Sequence, residues 1–200
     1  MRFWVVPKST KTITKDSEWI KLSTEDKRKF WNSKLVNDNW EIKVLYHWTP
    51  YKWTIKTFDE NLAWSNVNVD FKWVYFTDNL DFAEQFAHQQ LEWSSILRTK
   101  LWERGNIYKA YVNMEKPLDL NTAKADELLP YIKDDLTKWW SEERKLRNLE
   151  WHPQSIKFYI DMNKVEDAWY DWIIARIKNE WEWNEYIVFK GTQAKNIWKL

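Results

Sequence analysis

The chain has 200 residues, 31 basic against 30 acidic, a formal net charge of +1 and no cysteine. That balance gives no bulk electrostatic pull toward nucleic acid or an anionic membrane, and the missing thiols exclude disulfides and thiolate zinc sites. Eighteen tryptophans stand against two glycines, although glycine ordinarily makes up about 7% of a chain because turns and helix ends need a residue without a Cβ.

From the N-terminus, Met1-Arg2-Phe3-Trp4-Val5-Val6-Pro7 holds too short an apolar run for a secretory signal, and no stretch approaches the length of a membrane span. A soluble, cytoplasmic chain without membrane contact is the expectation. Residues 1 to about 20 are polar and aperiodic and read as an extension or the remnant of a longer polypeptide. The expected division is an N-terminal extension and helix over 1–32 and one main domain over 33–200. Ser23-Thr24-Glu25-Asp26 resembles a helix start, with Phe30 and Trp31 as apolar contacts. Ile42 to His47 predicts a strand and Val74-Tyr75-Phe76 a second. Asp78-Asn79 then caps a helix carrying Leu80, Ala83, Phe86, Ala87 and Leu91 at helical spacing. Ile107 to Val112 alternates as a strand. A charged helical region is expected from Ala123 to about Leu149 and another helix from Pro153 to Met162. Trp172 to Ile177 and Glu185 to Phe189 read as two closing strands. Strands interspersed with helices, without regular βαβ alternation, predict an α+β fold with largely antiparallel pairing.

The tryptophans intrude on this pattern at turns. Trp40 lies in Asn37-Asp38-Asn39-Trp40-Glu41, where Asn-Gly is the expected hairpin turn, and Trp48 follows a strand directly. Such places favour φ > 0 or close approach, which a bulky residue tolerates poorly. Two readings compete. In one, the protein is tryptophan-rich and its rings pack the core or stack on glycans or single-stranded nucleic acid. In the other, which the turn positions favour, many of these codons are UGA, read as glycine in some bacterial lineages. UGG codons at Trp48, Trp73 and Trp172 exclude the second.

Metal catalysis has little support, because His47, His88 and His152 are far apart and share no ligand spacing. No phosphate-binding glycine loop and no nucleophile elbow is present, even with the suspect tryptophans restored to glycine. Glu180 and Glu182 flank Trp181 and read as loop charges. What remains is Tyr46-His47-Trp48-Thr49, Trp73-Val74-Tyr75-Phe76-Thr77-Asp78-Asn79 and Asn184-Glu185-Tyr186-Ile187-Val188-Phe189.

A His, a Tyr and a Glu on three separated strands resemble the diphtheria-toxin and PARP-like class of ADP-ribosyltransferases. The wording around each element is closer still to the transferase-like domains of phage and mobile-element polyvalent proteins. Ser33 to Val36, Tyr108 to Asn113, Pro117 to Leu120 and Tyr170 to Ile174 extend the resemblance over roughly residues 33–197. It implies an ADP-ribosyltransferase-like fold with a split antiparallel β core and flanking helices. It also implies NAD as substrate, nicotinamide as leaving group and a macromolecular acceptor, a protein. By the same resemblance, His47 bonds the nicotinamide-side ribose, the backbone of Trp48 with Thr49 grips the carboxamide, Tyr75 stacks on the nicotinamide ring and Glu185 supports the cationic sugar centre. Ala83 stands where PARP-like enzymes commonly use serine, and Phe86 where a second tyrosine often sits, so the grip on nicotinamide departs from the pattern. Each residue has a plainer rival reading: His47 as an ordinary surface or turn residue, Tyr75 as a core aromatic with a solvated hydroxyl, Glu185 as an edge-strand charge guarding against aggregation. An NAD glycohydrolase, an inactive transferase-like scaffold and a tryptophan-rich glycan or nucleic-acid binding module remain open beside the transferase.

Overall fold

The computed structural model describes residues 12–49, 55–59, 73–84, 87, 105–151, 159–178 and 182–199. Within them lie seven strands: β1 (Leu45–Thr49), β2 (Val74–Thr77), β3 (Asn106–Val112), β4 (Pro117–Asp119), β5 (Trp172–Lys178), β6 (Glu182–Val188) and β7 (Ala194–Lys199). They form a single sheet in the order β4-β5-β6-β2-β1-β3-β7, antiparallel throughout except for the parallel β4–β5 pair.

The sheet is two halves joined at a seam. β1 pairs with β3 at five successive positions and β2 pairs with β6 at four, whereas β1 and β2 meet in register at Tyr46↔Thr77 alone. Beyond that pair the two central strands diverge, and the site residues lie along the divergence.

Side-chain alternation along each strand divides the core between the two faces. Trp73 and Tyr75, Ile187 and Phe189, Ile173 and Ala175 join one apolar cluster, while Val74 and Phe76, Tyr186 and Val188, Trp172 and Ile174 join the other. Four short helices follow in the chain, α2 (Ala125–Leu128), α3 (Asp134–Thr137), α4 (Glu142–Trp151) and α5 (Met162–Asp167), and α2, α4 and α5 roof the first cluster through Leu128, Leu149 and Val165. The charged helical region expected from Ala123 to about Leu149 is therefore a series of short helices. Pro130, which has no N–H to donate, sits in a 3₁₀ turn over Leu129–Tyr131, and Ile132 then bridges to Ile160. That bridge also ends the helix expected from Pro153 to Met162, whose residues 153–158 lie outside the described residues; Asp161 instead caps α5 by accepting from the Asn163 and Lys164 amides. The first strand begins three residues later than the apolar pattern suggests, at Leu45. β7 carries Lys195, Asn196 and Lys199 on an edge of the sheet, and this polarity hid it from pattern reading.

Residues 13–44 build a third cluster of Ile13, Leu22, Phe30, Ile42 and Val44 around Tyr111 of β3. Helix α1 (Thr24–Phe30) starts where the cap signal placed it, with the Ser23 hydroxyl accepting from the Asp26 amide at 3.1 Å. Its last residue, Phe30, is fully buried, while the next, Trp31, is 72% exposed. The buried Asp16 carboxylate accepts from the Glu18 and Ile20 amides (2.9 and 2.8 Å) and from the Tyr111 hydroxyl (2.6 Å). Glu18 adds an ion pair to Lys109 at 2.6 Å. The described part of the polar N-terminal segment is thus bonded into the sheet through a few long-range partners.

Among the described residues, the non-glycine positions with positive φ are Trp19 (68°), Trp40 (62°) and Trp169 (64°). Trp40 closes the turn in which the Asn37 side chain accepts from the Asn39 and Glu41 amides, each at 3.0 Å. Trp169 follows α5 in a Schellman arrangement, its N–H donating to the Glu166 carbonyl at 3.0 Å and the Tyr170 N–H to the Val165 carbonyl at 3.4 Å. Glycine is the usual occupant of that left-handed position, since a Cβ there costs roughly 1–2 kcal/mol. All three indoles are exposed, 73%, 41% and 85%, so little packing offsets the strain, although Lys15 lies 3.3 Å over the Trp19 ring. The triple variant Trp19→Gly, Trp40→Gly, Trp169→Gly is expected to gain about 2–3 kcal/mol in urea unfolding; a loss of stability refutes the strain argument. Trp172 and Trp73 differ in kind. Trp172 is fully buried against Tyr186, and the buried indole N–H groups of both have no partner among the described residues.

Candidate functional site

His47 stands on β1 one residue past the seam. Its Nδ1 lies 2.8 Å from the Tyr75 carbonyl oxygen of β2, so a side chain takes the place of the ladder bond the diverging backbones no longer make. A carbonyl can only accept, hence Nδ1 carries the hydrogen and Nε2 keeps its lone pair. The ring packs edge-on against Phe58 at 5.2 Å and tilted against Phe76 at 5.6 Å. Burial pushes its pKa down to about 4, against the opposing pull of the Tyr75 carbonyl, so the imidazole is neutral at pH 7. The plainer reading of His47 as a turn residue does not hold, since it is a half-buried strand residue bonded across the seam.

This neutral histidine has a stability signature. In the unfolded chain its pKa returns to about 6.5, so between pH 6.5 and about 4 the unfolded state binds a proton that the folded state does not. Stability at this residue is fully present above pH 6.5 and is lost as pH falls through the window, by up to about 3 kcal/mol. Denaturant midpoints at pH 7 and pH 4.5 are expected to separate more for the wild type than for His47→Asn; equal separations refute the burial argument.

Tyr75 and Glu185 share the other side of the seam. Register pairs Tyr75 with Ile187 and Thr77 with Glu185, so the phenol and the carboxylate stand on one face of adjacent strands. Tyr75 is half-buried and packs against the first core cluster. Burial, and then the negative charge of Glu185, push its hydroxyl well above the ordinary phenol range, so it stays protonated. Glu185 is 6% exposed and β6 lies between β5 and β2, which overturns the reading of it as an edge-strand charge. Glu182, read from sequence as a loop charge, opens β6 opposite Lys178, while Glu180 lies outside the described residues.

The remaining candidates lie past the end of the seam. Trp48 is half-buried, edge-on to Phe82 at 5.6 Å, and packs with Tyr46 and Leu80 against Ala83, Ala87 and Ile107. Ala83 is fully buried in that cluster. Thr49 is buried at the strand end opposite Asn106. Phe86, with His88 and His152, lies outside the described residues. Residues 80–84 are helical, and Asn79 caps them by accepting from the Phe82 amide at 3.0 Å, as the Asp78-Asn79 signal suggested. Trp48 and Ala83, two residues assigned to one carboxamide by resemblance, thus belong to one apolar cluster.

Three neighbours escaped sequence reading. Phe58 supplies the wall behind His47 from a segment with no pattern of its own. Gly191 passes so close to Phe58 that a Cβ would meet its carbonyl oxygen at 2.0 Å. Asp78, beyond its place beside the cap, accepts from the Asn184 amide (3.0 Å), the Asn184 side-chain amide (2.9 Å) and the Tyr186 hydroxyl (2.9 Å). Among the described residues no cluster of three or more His, Asp or Glu is placed to hold a metal ion, and no helix is long and apolar enough to cross a membrane. A family model described as ADP-ribosyltransferase in polyvalent proteins matches residues 37–199. No curated protein and no solved structure matches the chain.

Proposed function

Because the chain belongs to the family of ADP-ribosyltransferases in polyvalent proteins, with 37–199 matched, we propose that it binds NAD along the seam between β1 and β2 and transfers ADP-ribose to a protein, releasing nicotinamide. The observation that carries this reading is the His47–Tyr75 bond at the point where the central strands part, with Glu185 on the next strand and close enough to act on the Tyr75 hydroxyl.

The chemistry asks little of the protein beyond placement and charge. The bond from ribose C1′ to the nicotinamide nitrogen breaks, and its electron pair neutralises the pyridinium. Positive charge gathers on the sugar as this happens, and a fixed carboxylate favours that state over the ground state. Glu185 takes this role and accepts from a ribose hydroxyl. His47, neutral and with Nε2 able only to accept, receives a hydrogen bond from a second sugar hydroxyl rather than a proton in catalysis. Tyr75 offers the flat wall for the leaving ring. An acceptor nucleophile then attacks C1′ and loses its proton.

Trp48 favours a second reading, a transferase-like scaffold that turns NAD over poorly. Its indole packs against the cluster of Ala83, Ala87 and Ile107, on the ground assigned to the carboxamide. The test uses NAD labelled in the adenylate half, with the wild type and Trp48→Gly. Nicotinamide release with label on protein supports transfer, release with free ADP-ribose supports a glycohydrolase, and Trp48→Gly is expected to bind NAD more tightly in calorimetry. No release by either chain overturns the enzymatic reading, and unchanged binding counts against the assigned place of residue 48.

A further inference from the structure

We infer that Asp78 is a positioning residue for Glu185, acting through the two residues that flank it. Asp78 follows the last residue of β2, Thr77, which stands opposite Glu185 in the register. One carboxylate oxygen accepts from the Asn184 backbone amide at 3.0 Å. The other accepts from the Asn184 side-chain amide and the Tyr186 hydroxyl, both at 2.9 Å. Both chain neighbours of Glu185 are therefore held by one group, while Glu185 itself points to the opposite side of the strand.

Three hydrogen bonds to one ionised acceptor form a stiffer tie than neutral pairs of the same number. The Tyr186 ring is locked in addition by Trp172, at 5.7 Å between centroids, and Tyr186 is only 2% exposed. Burial and the nearby Asp78 charge hold the Tyr186 phenol protonated, so its hydroxyl remains available to donate. The tie lies where the β2–β6 ladder ends, so on the β2 side it replaces the pairing that β6 keeps with β5 on its other side. A catalytic group displaced by about 1 Å can lose on the order of 100-fold in rate, so fixing the strand at residue 185 has a kinetic consequence out of proportion to its stability.

This inference rests on the role proposed for Glu185, and the experiment separates the two. Asp78→Ala is expected to lower kcat for nicotinamide release by about 100-fold while calorimetry still finds NAD bound at wild-type stoichiometry and within about threefold of its affinity. Asp78→Asn, which keeps an acceptor for the Asn184 amide, recovers part of that loss. Tyr186→Phe, which removes one of the three bonds and keeps the ring, loses kcat to a smaller degree and serves if Asp78→Ala does not fold. Wild-type kcat in Asp78→Ala or, where that variant does not fold, in Tyr186→Phe, beside an inactive Glu185→Gln, overturns the inference alone. So does a fall in kcat matched by an equal fall in binding stoichiometry, which marks a structural role. Equal rates for the wild type and Glu185→Gln overturn the role of Glu185 and this inference with it.

Discussion

Glutamine at position 185 is expected to lower nicotinamide release from NAD by at least about 100-fold and to leave NAD binding within about threefold of the wild type. The substitution keeps the shape of the side chain and removes its charge. Glu185 is buried on an interior strand, so the field of its carboxylate is poorly screened by water, and it adds to burial in raising the range of the neighbouring Tyr75 hydroxyl. Loss of one preorganised electrostatic group at a developing charge commonly costs about 10²–10³ in turnover, or roughly 3–4 kcal/mol. Because the cation exists only in the transition state, the cost falls on kcat rather than on affinity. Steady-state release assays beside calorimetric titration check both halves, and equal turnover in the two proteins removes Glu185 from the mechanism.

Alanine at position 191 is expected to destabilise the protein by about 3 kcal/mol and to unseat His47 as well. The glycine is needed for space, since its φ is not positive. A Cβ there would lie 2.0 Å from the Phe58 carbonyl oxygen, 2.6 Å from its carbon and 3.1 Å from the Asp59 nitrogen, all backbone atoms with no rotamer to yield. Relief requires residues 55–59 to move as a unit. That segment is anchored by the Ile55 amide donating to the Tyr108 hydroxyl at 3.1 Å and by Asn196 donating to the Ile55 carbonyl. Its Phe58 ring is wedged edge-on against both His47 and Phe76. Shifting it opens the apolar wall behind the imidazole, so the acid-side loss of stability attributed to His47 should shrink in the same variant. An unchanged urea midpoint for Gly191→Ala refutes the close-contact argument.

Local pattern went some distance here. The Ser23 cap, the Asn37–Glu41 turn and the apolar runs of β2, β3 and β5 are properties of residues near one another in the chain, and each appears within a residue of where the pattern put it, while β6 begins three residues earlier, at Glu182. The demand for glycine at a turn was visible too, and the structure meets it with a tryptophan at φ 62°. Pattern failed where a partner is distant. β7 is held by pairing to β3, the segment around Asp16 by a tyrosine at position 111, and the helical region by a bridge from Ile132 to Ile160. Of the candidate site, His47, Tyr75 and Glu185 were proposed through motif order and resemblance, while Phe58, Asp78 in its tie to β6, and Gly191 had no local signature.

The sequence by itself determined where β1, β2, β3, β5 and β6 lie to within a few residues, the mixed α+β class and the family, because apolar pattern and motif wording are written in neighbouring residues. Only the tertiary structure decided that β1 and β2 are adjacent yet paired at a single position, that His47 spans the resulting gap, and that Glu185 lies on the strand beside Tyr75. The reason is physical. Strand order and register are set by which faces can be buried together across the whole chain, and a side-chain bond spanning 28 positions, or one spanning 106, exists only once that register is chosen.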